Sequence, residues 1–314
     1  MKSVHDICRH RWTELLPHVG IDPKYLTGKH TPCPVCGGKD RFRYLNTKGK
    51  GGAICNQCGG FNPVDLVMQV TGRDFQEAAR ELEKLAGSVE PEKPRKARDN
   101  AKCREASSAL WKGSEALTGD DPVSRYLEAR GIDWRLADGD IRYHPSCSYH
   151  VDGNQYRRLP AMVAKISDRE GKGVSVHRTF LTMDGRKADV EKPKQMMPGG
   201  LPKGVSCRTM QLRGDTIGIA EGIETALSAA VLHRVRCWAT LNSSQMVKWE
   251  PPEGVKRVII FGDCDLTFTG QAAAYSIAQI LKVRHKIDVE VKLPHAFGAD
   301  WNDVLKDQQQ RNAA

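Results

Sequence analysis

Ile217-Gly218-Ile219-Ala220-Glu221-Gly222-Ile223-Glu224-Thr225-Ala226-Leu227-Ser228 is the stretch on which the fold turns. Its first four residues are apolar and run straight into a carboxylate, the pattern of a short strand buried on both faces. Beyond Gly222 the period changes: Ile223, Ala226, Leu227, Ala230 and Val231 fall on one face of a helix. The alternation continues downstream. Cys237 to Leu241 and Val258 to Phe261 are strand candidates, Ala273 to Val283 is a helix candidate, and Val289 to Leu293 is a fourth strand. Strands separated by helices imply a parallel sheet with right-handed crossovers, so residues 215–314 are expected to form an α/β domain.

Acidic residues sit where these strands end. Glu221 follows the first strand directly, Asp263 and Asp265 follow the third across Gly262, and Asp300, Asn302 and Asp303 follow the fourth after a short loop. Ligands of open parallel sheets bind outside the carboxyl ends of the strands, so all three groups are expected to face one crevice. Carboxylates gathered there repel one another, and a hard cation removes the conflict; oxygen ligands select Mg²⁺ or Mn²⁺ over zinc. Such a site orients phosphates and neutralises developing charge. Gly262 is expected to let the chain turn and to leave room for a phosphate. The plainer alternative is helix capping, which Asp265 or Asp300 can each provide; Glu224, one turn into the helix, either joins the group or merely complements the helix dipole.

Upstream, residues 106–214 read as an adjoining α+β segment. A helical stretch runs through Leu110, Trp111 and Leu117, and another ends at Gly131. Strand candidates are Ala161 to Ile166, Val174 to Leu181 and Ser206 to Leu212, with turns at Asp152-Gly153 and Asp184-Gly185. Residues 88–105 are rich in Pro, Lys and Arg, lack apolar periodicity and read as a basic, flexible linker.

Residues 1–87 form a first unit, with flanking helices around a cysteine-rich segment. An amphipathic piece holds Trp12, Leu15 and Leu16; Asn62 and Pro63 open one helix, and a second places Phe75, Ala78, Ala79, Leu82 and Leu85 on one face. Cys33-Pro34-Val35-Cys36 and Cys55-Asn56-Gln57-Cys58 are separated by 18 residues, a spacing that points to one tetrahedral zinc ion. Four thiolates leave no open position, so the zinc is expected to be structural. His30 is a possible substitute ligand. Between the knuckles, Lys39, Arg41, Arg43, Lys48 and Lys50 are interleaved with Phe42 and Tyr44. Cations there can track phosphates and Phe42 can stack on a base; alternatively Phe42 and Tyr44 form the small core of the ribbon.

Ten cysteines in all do not read as a disulfide framework, because the six outside the knuckles are scattered. The net charge of +10 favours a polyanionic partner such as nucleic acid. No apolar run approaches the ~20 residues that a membrane span requires, and residues 1–10 lack the apolar core of a secretion signal, so the expected location is the cytoplasm.

Glu221 to Ser228, then Asp263-Cys264-Asp265, then Asp300-Trp301-Asn302-Asp303 resemble the Toprim domain of phage and plasmid primases. Lys29 to Arg43 resembles the zinc ribbon of satellite-phage primase–helicases, and Tyr126 to Ile132 with Leu159 to Met162 resemble the segment that precedes Toprim in these proteins. The resemblance implies primer synthesis from nucleoside triphosphates on single-stranded DNA. It gives Glu221 an acid/base and metal-organising role, and makes Asp263, Asp265, Asp303 and Asp300 the carboxylates of the Mg²⁺ or Mn²⁺ site. Cys264 departs from the Asn common between the two aspartates. No G-x-x-x-x-G-K-[ST] phosphate loop occurs, so a replicative helicase is expected to be a separate protein. Two other classes remain open: a Toprim nuclease, and a non-catalytic adaptor that binds single strands and recruits a helicase or conjugation partner. Metal-dependent turnover separates the enzymes from the adaptor. A topoisomerase would need a cleavage domain with a nucleophilic tyrosine, which nothing outside the core resembles.

Overall fold

The computed structural model describes residues 3–91, 100–151 and 154–313. It divides into two compact units, Met1–Ala97 and Arg98–Ala314.

In the first unit, helices α1 (Val4–Ile7) and α2 (Trp12–His18) precede four short strands, β1 (His30–Cys33), β2 (Gly37–Tyr44), β3 (Ala53–Cys55) and β4 (Gly59–Phe61). The strands pair antiparallel in the order β1-β2-β3-β4. Helices α3 (Pro63–Thr71) and α4 (Phe75–Ala86) follow. Asn62 caps α3 by accepting the Asp65 N–H at 2.9 Å, and Asp74 and Glu77 form a reciprocal capping box at α4. Trp12, Leu15, Leu16, Phe42, Tyr44, Leu66 and Leu82 make one core. Phe75 is not on that face: it is the first residue of α4 and stands 53% exposed.

The second unit opens with α5 (Asn100–Lys112), which begins inside the stretch expected to be linker, while residues 92–99 lie outside the described residues. Leu117 lies past its end. After α6 (Pro122–Glu128) come β5 (Ile141–Val151), β6 (Asn154–Ser167), β7 (Gly173–Phe180) and β8 (Lys194–Met196), an antiparallel sheet in that order. The expected Asp152-Gly153 turn falls outside the described residues; at Asp184-Gly185 the glycine has φ +81°, as a tight turn requires. Ser206 to Leu212 is not a strand. Ser206 bridges Ser167 of β6, and Cys207 bridges the next sheet, so this segment stitches two sheets together.

That next sheet is built from β9 (Thr216–Ala220), α7 (Ile223–His233), β10 (Cys237–Ala239), α8 (Ser243–Met246), β11 (Arg257–Phe261), α9 (Thr269–Ile280), β12 (Asp288–Lys292) and α10 (Trp301–Ala313). All pairings are parallel, in the order β10-β9-β11-β12. Ala220 lies beside both Ala239 and Phe261, and Phe261 beside Lys292, so the four carboxyl ends are level. β12 is the outer strand on its side, with Asp288, Glu290 and Lys292 alternating with Val289 and Val291.

Candidate functional site

The level strand ends bring four of the predicted carboxylates, Glu221, Asp263, Asp265 and Asp300, into one electrostatic group. Asp263 is its centre. Burial first, then the charges of Glu221, Asp300 and Asp265, push its carboxyl up to about 7. Its Oδ1 is buried and has no hydrogen-bond partner. Glu221 is also raised, by burial and then by Asp265, against a hydrogen bond from the Ser243 N–H. Two crowded carboxyls, one with an orphaned oxygen, are what a divalent cation would satisfy. The donor set therefore fits Mg²⁺ or Mn²⁺, although the four cysteines below are the single group among the described residues with ligand atoms all within 4.8 Å of one another.

Asp265 is committed differently. Burial works to raise it, but hydrogen bonds outweigh burial and hold it below its ordinary value. Oδ1 accepts from Thr267 Oγ1 at 2.7 Å and from the N–H groups of Thr267 and Thr269; Oδ2 accepts the Gly270 N–H at 2.7 Å. Asp265 thus organises the start of α9. Asp300 caps α10, its Oδ1 accepting the N–H groups of Asn302 and Asp303, and Asp303 Oδ2 accepts the Asp300 N–H in return. Asp303 is exposed and takes no part in the charge around Asp263. The rest of this motif is structural too. Trp301 Nε1 donates to the Gly262 carbonyl at 3.1 Å, and buried Asn302 donates to Ser228 Oγ and the Arg130 carbonyl. Gly262 leaves no room for a phosphate: a Cβ there would lie 2.7 Å from Leu293 Cδ2 and 2.9 Å from Ala274 Cβ. Close packing of α9 on the sheet requires this glycine. Cys264 is buried, facing the Gln271 amide at 3.6 Å.

Glu224 does more than complement a dipole. It is buried on α7 and accepts the Tyr126 hydroxyl of α6 at 2.6 Å. Lys194 of β8 reaches both its oxygens, at 2.9 and 3.0 Å. Burial opposes ionisation, but Lys194 and Tyr126 overcome it and hold the carboxyl down at about 2. Sequence reasoning missed Tyr126 and Lys194. A carboxylate inside an apolar run asks for a buried partner, but the three-residue strand carrying Lys194 has no periodicity to announce it.

At the other end of the chain the Sγ atoms of Cys33, Cys36, Cys55 and Cys58 converge, with Cys33···Cys58 at 4.0 Å and Cys36···Cys55 at 3.7 Å. Tetrahedral zinc with Zn–S of ~2.3 Å needs sulfurs ~3.8 Å apart. The N–H groups of Val35 and Gln57 point at Cys33 and Cys55, fixing the knuckles. His30 is no ligand; its Nδ1 meets the Asp40 carbonyl at 2.9 Å. Phe42 corrects an expectation: it is fully buried against Tyr25 and Phe61, so its ring is core and cannot stack on a base. Arg41 is tied to Gln57, and Arg43 donates to the Gly28 carbonyl at 3.0 Å. Lys39, Lys48 and Lys50 remain exposed.

Comparison with known proteins matches each part. Residues 28–64 match the zinc-binding domain of primase-helicase. Residues 101–207 match a domain of unknown function, and residues 216–310 match the Toprim domain. Among solved structures, the Aquifex aeolicus primase (zinc-binding and RNA polymerase domains) is 19% identical, covering 99% of this chain and 85% of that one, with a TM-score of 0.45. The primase fragment of the bacteriophage T7 primase-helicase is 18% identical over 91% of this chain and 97% of that one, with a TM-score of 0.42. A DNA primase domain from Pseudomonas aeruginosa is 15% identical over 67% and 77%, with a TM-score of 0.45. Residues 216–310 are thus a Toprim domain, and a zinc-binding domain of the primase-helicase type precedes it at residues 28–64.

Proposed function

We propose that this protein is a DNA primase, joining nucleoside triphosphates into short primers on single-stranded DNA. The observation that carries the reading is Asp263, a crowded carboxyl with an orphaned buried oxygen, in a Toprim domain attached to a primase-type zinc-binding domain. Asp263, with Glu221 and Asp300 beside it, would hold Mg²⁺ or Mn²⁺; Asp265 contributes charge and holds the loop. When bound, the metal would neutralise charge on the triphosphate and ease ionisation of an attacking 3′-hydroxyl. Glu221, its carboxyl raised by burial and by Asp265, is placed to take the proton of that hydroxyl as pyrophosphate leaves. Zinc is assigned to Cys33, Cys36, Cys55 and Cys58 as a structural ion. The zinc unit holds template through Lys39, Lys48 and Lys50. These 314 residues carry no phosphate loop, so duplex opening is assigned to a helicase activity outside them.

The test is incorporation of labelled nucleotides on single-stranded DNA with Mg²⁺. Glu221→Gln and Asp263→Asn are each expected to lower incorporation by at least ~100-fold while single-strand binding persists. Full activity in either variant, or degradation of labelled DNA without incorporation, defeats the primase reading.

A further inference from the structure

Two of the three loops that carry the carboxylates, those after β11 and β12, also carry exposed aromatic side chains. Phe268 is 59% exposed and Phe297 63%, with Leu266 beside them at 75%. The two rings meet edge to face, with centroids 6.0 Å apart. Large apolar groups in contact at a surface lose free energy to water unless something covers them. Their backbone is held. Gly298 N–H donates to the Cys264 carbonyl at 2.6 Å and Cys264 N–H to the Ala299 carbonyl at 3.4 Å, so the loops after β11 and β12 are tied to each other. Phe268 has φ 59° and ψ 14°, a left-handed conformation that an aromatic residue rarely adopts. Asp265 imposes it, by gathering the N–H groups of Thr267, Thr269 and Gly270 around one carboxylate. Strain of this kind persists where the surrounding structure over-determines it, and here it leaves Phe268 exposed on the loop that carries Asp263 and Asp265.

We infer that Phe268 and Phe297 form a stacking lip for the nucleobase of a nucleoside triphosphate whose phosphates lie at the Glu221, Asp263 and Asp300 cluster. This rests on the primase reading of that cluster. Ring faces suit any base, because each base offers a π-surface. The charge beside the lip selects the free nucleotide over a strand. Asp263, Asp265 and Asp300 would repel bare phosphodiesters, whereas a triphosphate arrives with its own divalent cation. Asp265 is then a positioning residue, which sets the ring through the turn it holds.

The experiment measures binding to the full chain in Mg²⁺ by calorimetry, with three probes: ATP, inorganic tripolyphosphate and a single-stranded oligonucleotide. The wild type is expected to bind ATP about tenfold more tightly than tripolyphosphate, the value of one stacked base. Phe268→Leu with Phe297→Leu keeps apolar bulk and removes the rings. It should bring ATP down to the tripolyphosphate level and leave tripolyphosphate and oligonucleotide unchanged; Phe268→Trp with Phe297→Trp should restore the preference. Equal binding of the two probes by the wild type overturns the lip alone, as does a Leu pair that keeps the ATP preference. A loss confined to the oligonucleotide overturns it in favour of a strand-binding surface. A wild-type chain that binds neither ATP nor tripolyphosphate overturns the lip and the primase reading together.

Discussion

Asp263 is held in a conflict that a bound cation would relieve. Its folded value of about 7 lies above the ordinary 3.8, so between those values the native state keeps a proton that the unfolded chain has lost. Stability of the metal-free protein should therefore fall as pH rises from about 4 to about 7, and stay low above that. Asp263→Asn removes the penalty. At a pH of about 8 the metal-free variant should be more stable than wild type by roughly 1–3 kcal/mol, and at about pH 4 the gain should vanish. Mg²⁺ should raise the melting temperature of wild type and leave the variant nearly unmoved. Equal pH dependence in the two proteins would remove Asp263 from the centre of the site. The placement of Glu221 and Asp263 at level strand ends was legible in the sequence because strand ends announce a shared edge. The division of labour was not. A carboxylate between a strand and a helix has one sequence signature whether it binds a metal or caps the helix, and only the positions of N–H groups around Asp265, Asp300 and Asp303 separate the two.

At the scale of elements, Glu224 joins three pieces that are remote in sequence: α6 through Tyr126, β8 through Lys194, and its own helix α7. Glu224→Ala would leave Lys194 facing a buried hole and should cost about 3 kcal/mol, seen as an earlier denaturant midpoint. Its carboxyl is depressed from 4.5 to about 2, so the stabilisation is complete above about 4.5 and lost as pH falls towards 2. The variant should lack that acid-sensitive component. The parallel strands and helices were readable because apolar runs of period near zero alternate with runs of period 3.6. The segment from Ser206 to Leu212 misled because Cys207, Met210 and Leu212 among polar residues look like a half-buried strand, whereas the chain only bridges two sheets by single residues. Phe42 and Tyr44 were ambiguous for a related reason: alternation fixes two faces and does not say which face is inside.

Over the whole molecule, the two units keep separate cores. A ribbon of short strands depends on its ion for folding, so chelation of zinc should abolish the melting transition of the first unit and leave that of the second. A single transition that shifts as a whole would contradict this. Single-strand affinity should fall with salt, with a log–log slope of about −0.7 per phosphate neutralised. Lys39, Lys48 and Lys50 are the residues to reverse, because Arg41 and Arg43 help hold the ribbon and their loss would confuse folding with binding. β12 has a further consequence. As an outer strand it leaves one row of backbone groups without a neighbouring strand, and Ile287 to Leu293 would offer an unbroken β-branched ribbon if its charged residues were apolar. Glu290 and Asp288 instead face Arg257, at 2.9 and 3.8 Å. The charges that tie β12 to its own sheet also make it a poor template for a second chain, which guards the parallel sheet against growing strand by strand into a neighbouring copy.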